Sequence, residues 1–246
     1  MNTPSNNPVT GAAYFLRGLT LIGQPHIRRF VILPFIINVL IFAGLIVLAW
    51  GQFGQFVDWL IPSLPDWLAW LSWLLWLVFG LMAFIVIFFA FSILANLVGA
   101  PFNGYLAAAV ERRLTGKNPP GSDRPFLQEF TLALLGELRK IGYFLLFAIP
   151  LLILNFIPVL NLASPALWAL FGAWMLSLEY LDYPLANHGL TFPEIRRRLR
   201  RQRFLGLGFG AAVMLATLIP VFNFLVMPIA VAGATALRVE RMPLEA

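Results

Sequence analysis

The sequence predicts an all-α integral membrane protein, in which two long transmembrane helices are accompanied by two partly inserted helical hairpins and interfacial helices. Three observations predict it. Hydrophobic residues make up 60% of the 246 positions and charged residues 11%, with a mean hydropathy of +0.84, so the chain cannot cover itself with an ordinary water-facing surface. Four stretches, 30–57, 67–110, 141–178 and 204–237, contain no Asp, Glu, Lys or Arg and are long enough to meet a bilayer. All 17 Lys and Arg residues lie elsewhere: in the arm before residue 30, in 112–140, in 196–203 and in 238–241.

Residues 1–29 form an N-terminal arm whose opening MNTPSNNPVTGAAYFLRG has no basic segment leading into an apolar run, so no cleaved signal peptide is expected. Within the arm, Tyr14, Phe15, Leu19 and Ile22 fall near one helical face, the pattern of a helix lying along the membrane interface. Residues 30–110 supply the two long helices. The segment joining them, 52–66, holds Asp58 and Asp66 but no Lys or Arg. By the positive-inside rule it faces away from the cytoplasm, while the N-terminus, the later polar segments and the C-terminus face it. As a helix, the uncharged stretch 67–110 would reach about 66 Å against a hydrocarbon core of about 30 Å. It therefore runs on into the cytoplasm or breaks, with Pro101 as the natural bend.

Residues 111–140 read as a cytoplasmic or interfacial segment, where Leu127, Phe130, Leu134, Leu138 and Ile141 repeat the interfacial pattern. Beyond it, 141–178 and 204–237 each carry the same central break, Ile157-Pro158-Val159-Leu160-Asn161 and Ile219-Pro220-Val221-Phe222-Asn223. The arms on either side would span about 24 to 26 Å if helical, which is marginal for a crossing. Both stretches must also begin and end on the cytoplasmic side. Hairpins that turn inside or near the far side of the membrane meet both constraints, provided protein or a watery cavity surrounds the irregular backbone. Paired, interrupted short segments are also a pointer to a transport site. Four short crossings with tight external turns are the alternative. Between the hairpins, 179–203 is a basic cytoplasmic segment in which Thr191-Phe192-Pro193-Glu194 has capping-box spacing, and 238–246 is a tail. The chain, 1–246, reads as one membrane domain.

Enzymatic chemistry has little to work with. The chain has no cysteine, and only His26 and His188 supply imidazole, so neither a metal site nor a cofactor is expected. The motifs GxGxxG, GxxxxGK, HExxH and GxSxG are absent from the sequence, and catalysis is not expected. Glu179 and Asp182, an i,i+3 carboxylate pair beside arginines, read as structural. The basic run 194–203, wedged between membrane stretches, suits anionic lipid head groups and not nucleic acid.

The stretch Gly23-Gln24-Pro25-His26-Ile27-Arg28-Arg29-Phe30 is the more informative one. Pro25 and the apolar run behind it mark a helix start, where free N–H groups and partial positive charge favour acidic residues. Here stand Arg28, Arg29 and His26, an arrangement that an anion would make tolerable. Along the second long helix Asn96, Ala100, Asn103, Ala107 and Glu111 share one face. Small and polar residues there permit close helix packing; equally, Asn96, Asn103, Glu111 and Arg112 could line a polar pathway.

Three longer stretches, YFLRGLTLIGQPHIRRFVILPFIINVL, LVGAPFNGYLAAAVERRLTG and LEYLDYPLANHGLTFPEIRRRLR, together resemble the CysZ family of bacterial sulfate permeases. The resemblance covers essentially the whole chain. It implies two long transmembrane helices with partly inserted helical pairs, homo-oligomers such as a hexamer, and inward movement of sulfate across the bacterial inner membrane for cysteine synthesis. It also implies a sulfate site at a Gly-Leu-Arg turn followed by a second arginine. In this sequence the corresponding residues are His26, Ile27, Arg28 and Arg29, so both arginines are kept while the Gly-Leu part is not. The function expected is a channel-like or gradient-driven sulfate permease. The alternative is a membrane scaffold whose basic cytoplasmic face binds anionic lipids or a protein partner.

Overall fold

The computed structural model describes residues 6–60, 72–120 and 125–244. Among these residues the structure is helical, without strands: α1 (Pro8–Ile22), α2 (Arg29–Leu60), α3 (Ser72–Thr115), α4 (Phe126–Leu154), α5 (Ser164–Ala186), α6 (Phe192–Arg201), α7 (Arg203–Thr217) and α8 (Pro220–Arg241). Helix α3 does not stop at Pro101 but continues through it to Thr115, as one of the two sequence alternatives required. Pro34, Pro150, Pro184 and Pro228 likewise sit inside helices, which membrane helices accept when neighbours satisfy the freed carbonyl.

The chain divides into two compact units, residues 32–99 and the remainder. In the first, apolar side chains such as Phe35, Leu40 and Val47 on α2 and Leu77, Phe84 and Phe89 on α3 point outward. The window Arg29–Leu48 has a mean hydropathy of 2.9 and none of it is buried within the molecule. Only an apolar surrounding can accept such a surface.

The second unit is built on close backbone approaches. Helix α1 lies against α7 and α8, and α5 lies against the same two helices. A side chain at Gly11 would strike the carbonyl oxygen of Leu205, one at Gly18 that of Ile229, and one at Gly210 that of Ala173. Without a hydrophobic drive between helices in lipid, such small-residue contacts hold them together through van der Waals packing and short hydrogen bonds. Ser177 Oγ donates one of these to the carbonyl of Gly206. Gly210→Val should therefore lower stability by about 1–3 kcal/mol through overpacking, read as an earlier thermal unfolding of the purified protein in detergent.

One expectation is corrected here. The face that α1 uses is Gly11, Tyr14, Phe15, Gly18 and Leu21, packed on protein, while Leu19 is exposed. Polar contacts lock it: Glu240 accepts from Tyr14 Oη at 2.9 Å and from Arg17 at 2.5 Å, and Asn6 Oδ1 accepts the Phe204 and Leu205 N–H groups that open α7. Segment 111–140 takes in the last turn of α3, which ends at Thr115, and the first half of α4, which begins at Phe126.

The two sequence breaks separate antiparallel helix pairs, α4–α5 around residues 155–163 and α7–α8 at Leu218 and Ile219. Ser164 Oγ closes the first turn by donating to Asn155 Oδ1 at 2.5 Å. Both tips are apolar on the outside: Phe156 and Leu162 are each 81% exposed, and Phe224 is 76% exposed.

Candidate anion site

The turn ahead of α2 is held from below. Ile27 is fully buried in the same core as Leu106, and Gln24 accepts the N–H groups of Ile27 and Arg28, each at 3.0 Å. The N–H groups of Phe30 and Val31 are donated to the carbonyls of Ile27 and Arg28, also at 3.0 Å. Four amides that a helix start could have offered to an anion are thus already used inside the turn. Recognition at this point falls to side chains.

Those side chains come from two parts of the chain. A cleft of about 640 Å³ is lined by His26 and Arg29 from the turn, by Tyr105, Arg112 and Arg113 from α3, and by Asn118 beyond it, with Ala108 and Ala109 among the apolar lining. Its lining holds three guanidinium groups and no carboxylate. Arg29 stacks against Phe30, its Cζ 4.8 Å from the ring centre, and Arg113 Nε donates to Gln24 Oε1 at 3.1 Å, joining α3 to the turn. Gly116, with φ of 75°, ends α3 in the left-handed conformation that glycine accepts most readily, and its N–H returns to the Arg112 carbonyl at 2.9 Å. The negative end of the α3 dipole favours the cations placed there.

Of the residues expected at the site, His26, Ile27 and Arg29 line this cleft, whereas Arg28 is exposed and does not. Of the pathway residues, Arg112 lies in the cleft. Asn103 is buried and donates to Met227 Sδ at 3.2 Å, and the side chain of Asn96 lies outside the described part of α3. Glu111 points elsewhere. Its Oε1 accepts from Arg238 Nη1 at 2.7 Å and stands 2.8 Å from His188 Nε2, which is itself 2.7 Å from Arg238 Nη2. Glu111 and Arg238 are each only 5% exposed, so the pair is a buried one. Sequence reading missed Arg113, Tyr105 and Asn118. The Arg112-Arg113 doublet at the end of a long apolar run was the available signal.

A second charged cluster lies just outside 141–178. Lys140, 4% exposed, contacts Glu137 at 2.5 Å, Glu179 at 2.8 Å and Asp182 at 3.2 Å. Burial raises the Asp182 carboxyl above its usual range, with Lys140 opposing and Glu179 adding to the rise; burial and Glu179 also raise Glu137. Burial alone would lower the Lys140 ammonium, but the three carboxylates outweigh it and raise it. Lys140 is what the pair Glu179 and Asp182 holds. In Lys140→Met the carboxylates lose their counter-charge and favour the protonated form more strongly in the folded state than in the unfolded one. The folded state then binds more protons, so stability rises as pH falls. This variant should unfold earlier than wild type near neutral pH and recover part of the difference in mildly acidic buffer.

Outward-facing apolar helices, glycine-packed and with long uncharged runs, define an integral membrane protein. A family model described as Sulfate transporter CysZ/Etoposide-induced protein 2.4 matches residues 14–228, and the chain belongs to this family. It is 46% identical over 229 residues to a sulfate transporter CysZ of Pseudomonas fluorescens, covering 92% of each chain. To the protein of that name from Pseudomonas paraeruginosa it is 44% identical, covering 92% of this chain and 93% of the relative. For Pectobacterium atrosepticum the identity is 42%, over 94% of this chain and 85% of the relative.

Proposed function

We propose that this chain is a sulfate permease of the bacterial cytoplasmic membrane, moving sulfate inward to supply cysteine synthesis by a channel-like or gradient-driven route and without catalysis. The observation that carries the reading is the cleft lined by Arg29, Arg112 and Arg113 with no carboxylate among its lining residues. A doubly negative tetrahedral ion can take charge-assisted hydrogen bonds from all three guanidinium groups. The names of the relatives point to the same cargo. Arg28, exposed beside the cleft, serves to draw anions toward it. Exposed apolar tips at 155–163 and at Leu218 and Ile219 support hairpins seated in hydrocarbon, since a turn in water favours polar residues. Assembly into a homo-oligomer, with the outward Leu127, Leu134, Leu138 and Ile141 of α4 against lipid or a second copy, belongs to the same proposal. Purified protein reconstituted into vesicles should take up labelled sulfate faster than empty vesicles. Uptake no faster than in empty vesicles would end the permease reading.

A second reading, a scaffold on anionic lipid, is favoured by α6. Its Phe192, Ile195 and Leu199 are buried, while Arg197, Arg200 and Arg201 stand on the opposite, exposed face. Glu194 is occupied in the capping box, its Oε2 accepting from both the N–H and the Oγ1 of Thr191 at 2.7 Å. These arginines suit phospholipid phosphates. The vesicle assay separates the readings, because a scaffold moves no sulfate.

A further inference from the structure

We infer that the tip of the first hairpin is a two-state element, a strained turn at Val159 that exchanges with a longer α5 begun at Pro158, and that transport uses this change in the hairpin's reach. The part in transport rests on the permease reading; the exchange itself does not.

The two copies of one short sequence adopt different backbones. In the second hairpin Ile219 is extended, with φ of −94° and ψ of 106°, Pro220 opens α8 and Val221 is helical. Proline suits that place, because the first turn of a helix needs no N–H from it. In the first hairpin Pro158 opens no helix: Val159 stands at φ of 71° and ψ of −45°, near the rare γ-turn, and only a single 3-10 turn, Leu160–Leu162, precedes α5. For a β-branched residue this conformation is strained. Val159 is the one non-glycine residue with positive φ among the described residues, and at 77% exposure packing does not hold it there. Two other features hold the turn. The buried Ser164 donates its Oγ–H across the tip to Asn155 Oδ1 at 2.5 Å. Pro165, now in the first turn of α5, would stand inside a helix begun at Pro158, where its ring crowds the carbonyl four residues back. The longer helix is nevertheless close at hand. The Asn161 N–H already donates to the Ile157 carbonyl at 3.0 Å, as the Asn223 N–H does to Ile219 at 2.9 Å. Helix α8 carries Pro228 in its interior, so an internal proline is tolerated at a similar distance from such a start. Begun at Pro158, α5 would have the 29 residues of α4, and the arms of the hairpin would match. Six more helical residues lengthen it by about 9 Å.

The chain has no cysteine, so Leu146→Cys on α4 and Leu162→Cys in the tip give the full-length protein a single pair of spin labels. Both side chains are exposed, at 65% and 81%. Two further substitutions push the exchange in opposite directions. Val159→Gly accepts the turn without strain and disfavours the helix, whereas Pro165→Ala removes the obstacle to the helix; both positions are exposed, so neither variant disturbs the core. In vesicles the labelled parent should show a major and a minor distance. Val159→Gly should reduce the minor population about fivefold, and Pro165→Ala should raise its ratio to the major one about tenfold or more. One distance, the same in the parent and both variants, overturns the exchange. Sulfate uptake by the unlabelled Val159→Gly protein should fall about fivefold with the population of the longer helix. Uptake at the wild-type rate, with the distances shifted, overturns the part in transport. Wild-type uptake no faster than in empty vesicles overturns the permease reading, and the distances still decide the exchange.

Discussion

Glu111→Ala should lower stability by about 3–5 kcal/mol, because it leaves the Arg238 guanidinium buried without a counter-charge. Glu111 sits on α3 and Arg238 at the end of α8, 127 residues apart in sequence, so their contact ties the two helices together. The arrangement has little slack. Glu111 Oε2 and Arg238 Nε have no hydrogen-bond partner, and a single His188 nitrogen faces both groups. That nitrogen can donate to Glu111 or accept from Arg238 but cannot do both at once. Because two buried charges cost desolvation that their attraction only partly returns, Glu111→Leu combined with Arg238→Met should recover most of the loss. Thermal unfolding in detergent measures both. A Glu111→Ala protein that unfolds at the wild-type temperature would show that the pair is hydrated.

Replacing Arg29 and Arg112 together with Gln should weaken sulfate binding about a hundredfold or more. A charge-assisted hydrogen bond contributes about 1.5–3 kcal/mol, and two of them lost amount to two decades or more in affinity. Arg28→Gln is the informative comparison. Its side chain stands outside the cleft, so binding should weaken only by the long-range share of one exposed charge, and that share should vanish in high salt. Equilibrium binding of labelled sulfate to the purified variants decides the matter. Equal losses in Arg28→Gln and in an Arg29→Gln single variant would place the ion on the outer face of the turn.

Much of the architecture was legible because it is written locally. An uncharged apolar run demands a helix in an apolar surrounding whatever its neighbours are, and proline with asparagine inside such a run marks a break. Both breaks fall at helix ends, with α4 and α5 parting around residues 155–163 and α7 and α8 at Leu218 and Ile219. Thr191 and Glu194 form the capping box their spacing announced, since a helix N-terminus is satisfied within four residues. The α1 pattern failed for the opposite reason. Hydrophobicity alone grouped Tyr14 and Phe15 with Leu19 on one membrane-facing side, whereas Tyr14 and Phe15 are buried on protein, and Gly11 and Gly18, carrying no apolar side chain, are what let α7 and α8 come close.

The cleft was half legible. A cationic helix start poses the question of an anion from sequence alone, and Arg112 was singled out for another reason. Nothing local says that Arg29 shares a cleft with Arg112 and Arg113, that the turn consumes its own amides, or that Glu111 turns away toward Arg238. Lys140 and Glu179, 39 residues apart, meet for the same kind of reason.

By itself, then, the sequence determined the membrane class, the helical runs and their interruptions, and the exclusion of charge from the four apolar stretches. Each of these follows from interactions within a few residues or between a segment and its solvent. Tertiary structure alone decided which charges neutralise one another and which stay open to a ligand, because that depends on distances between residues far apart in the chain. Glu111 is spent on Arg238, and Arg29, Arg112 and Arg113 are left without a carboxylate beside them in the cleft.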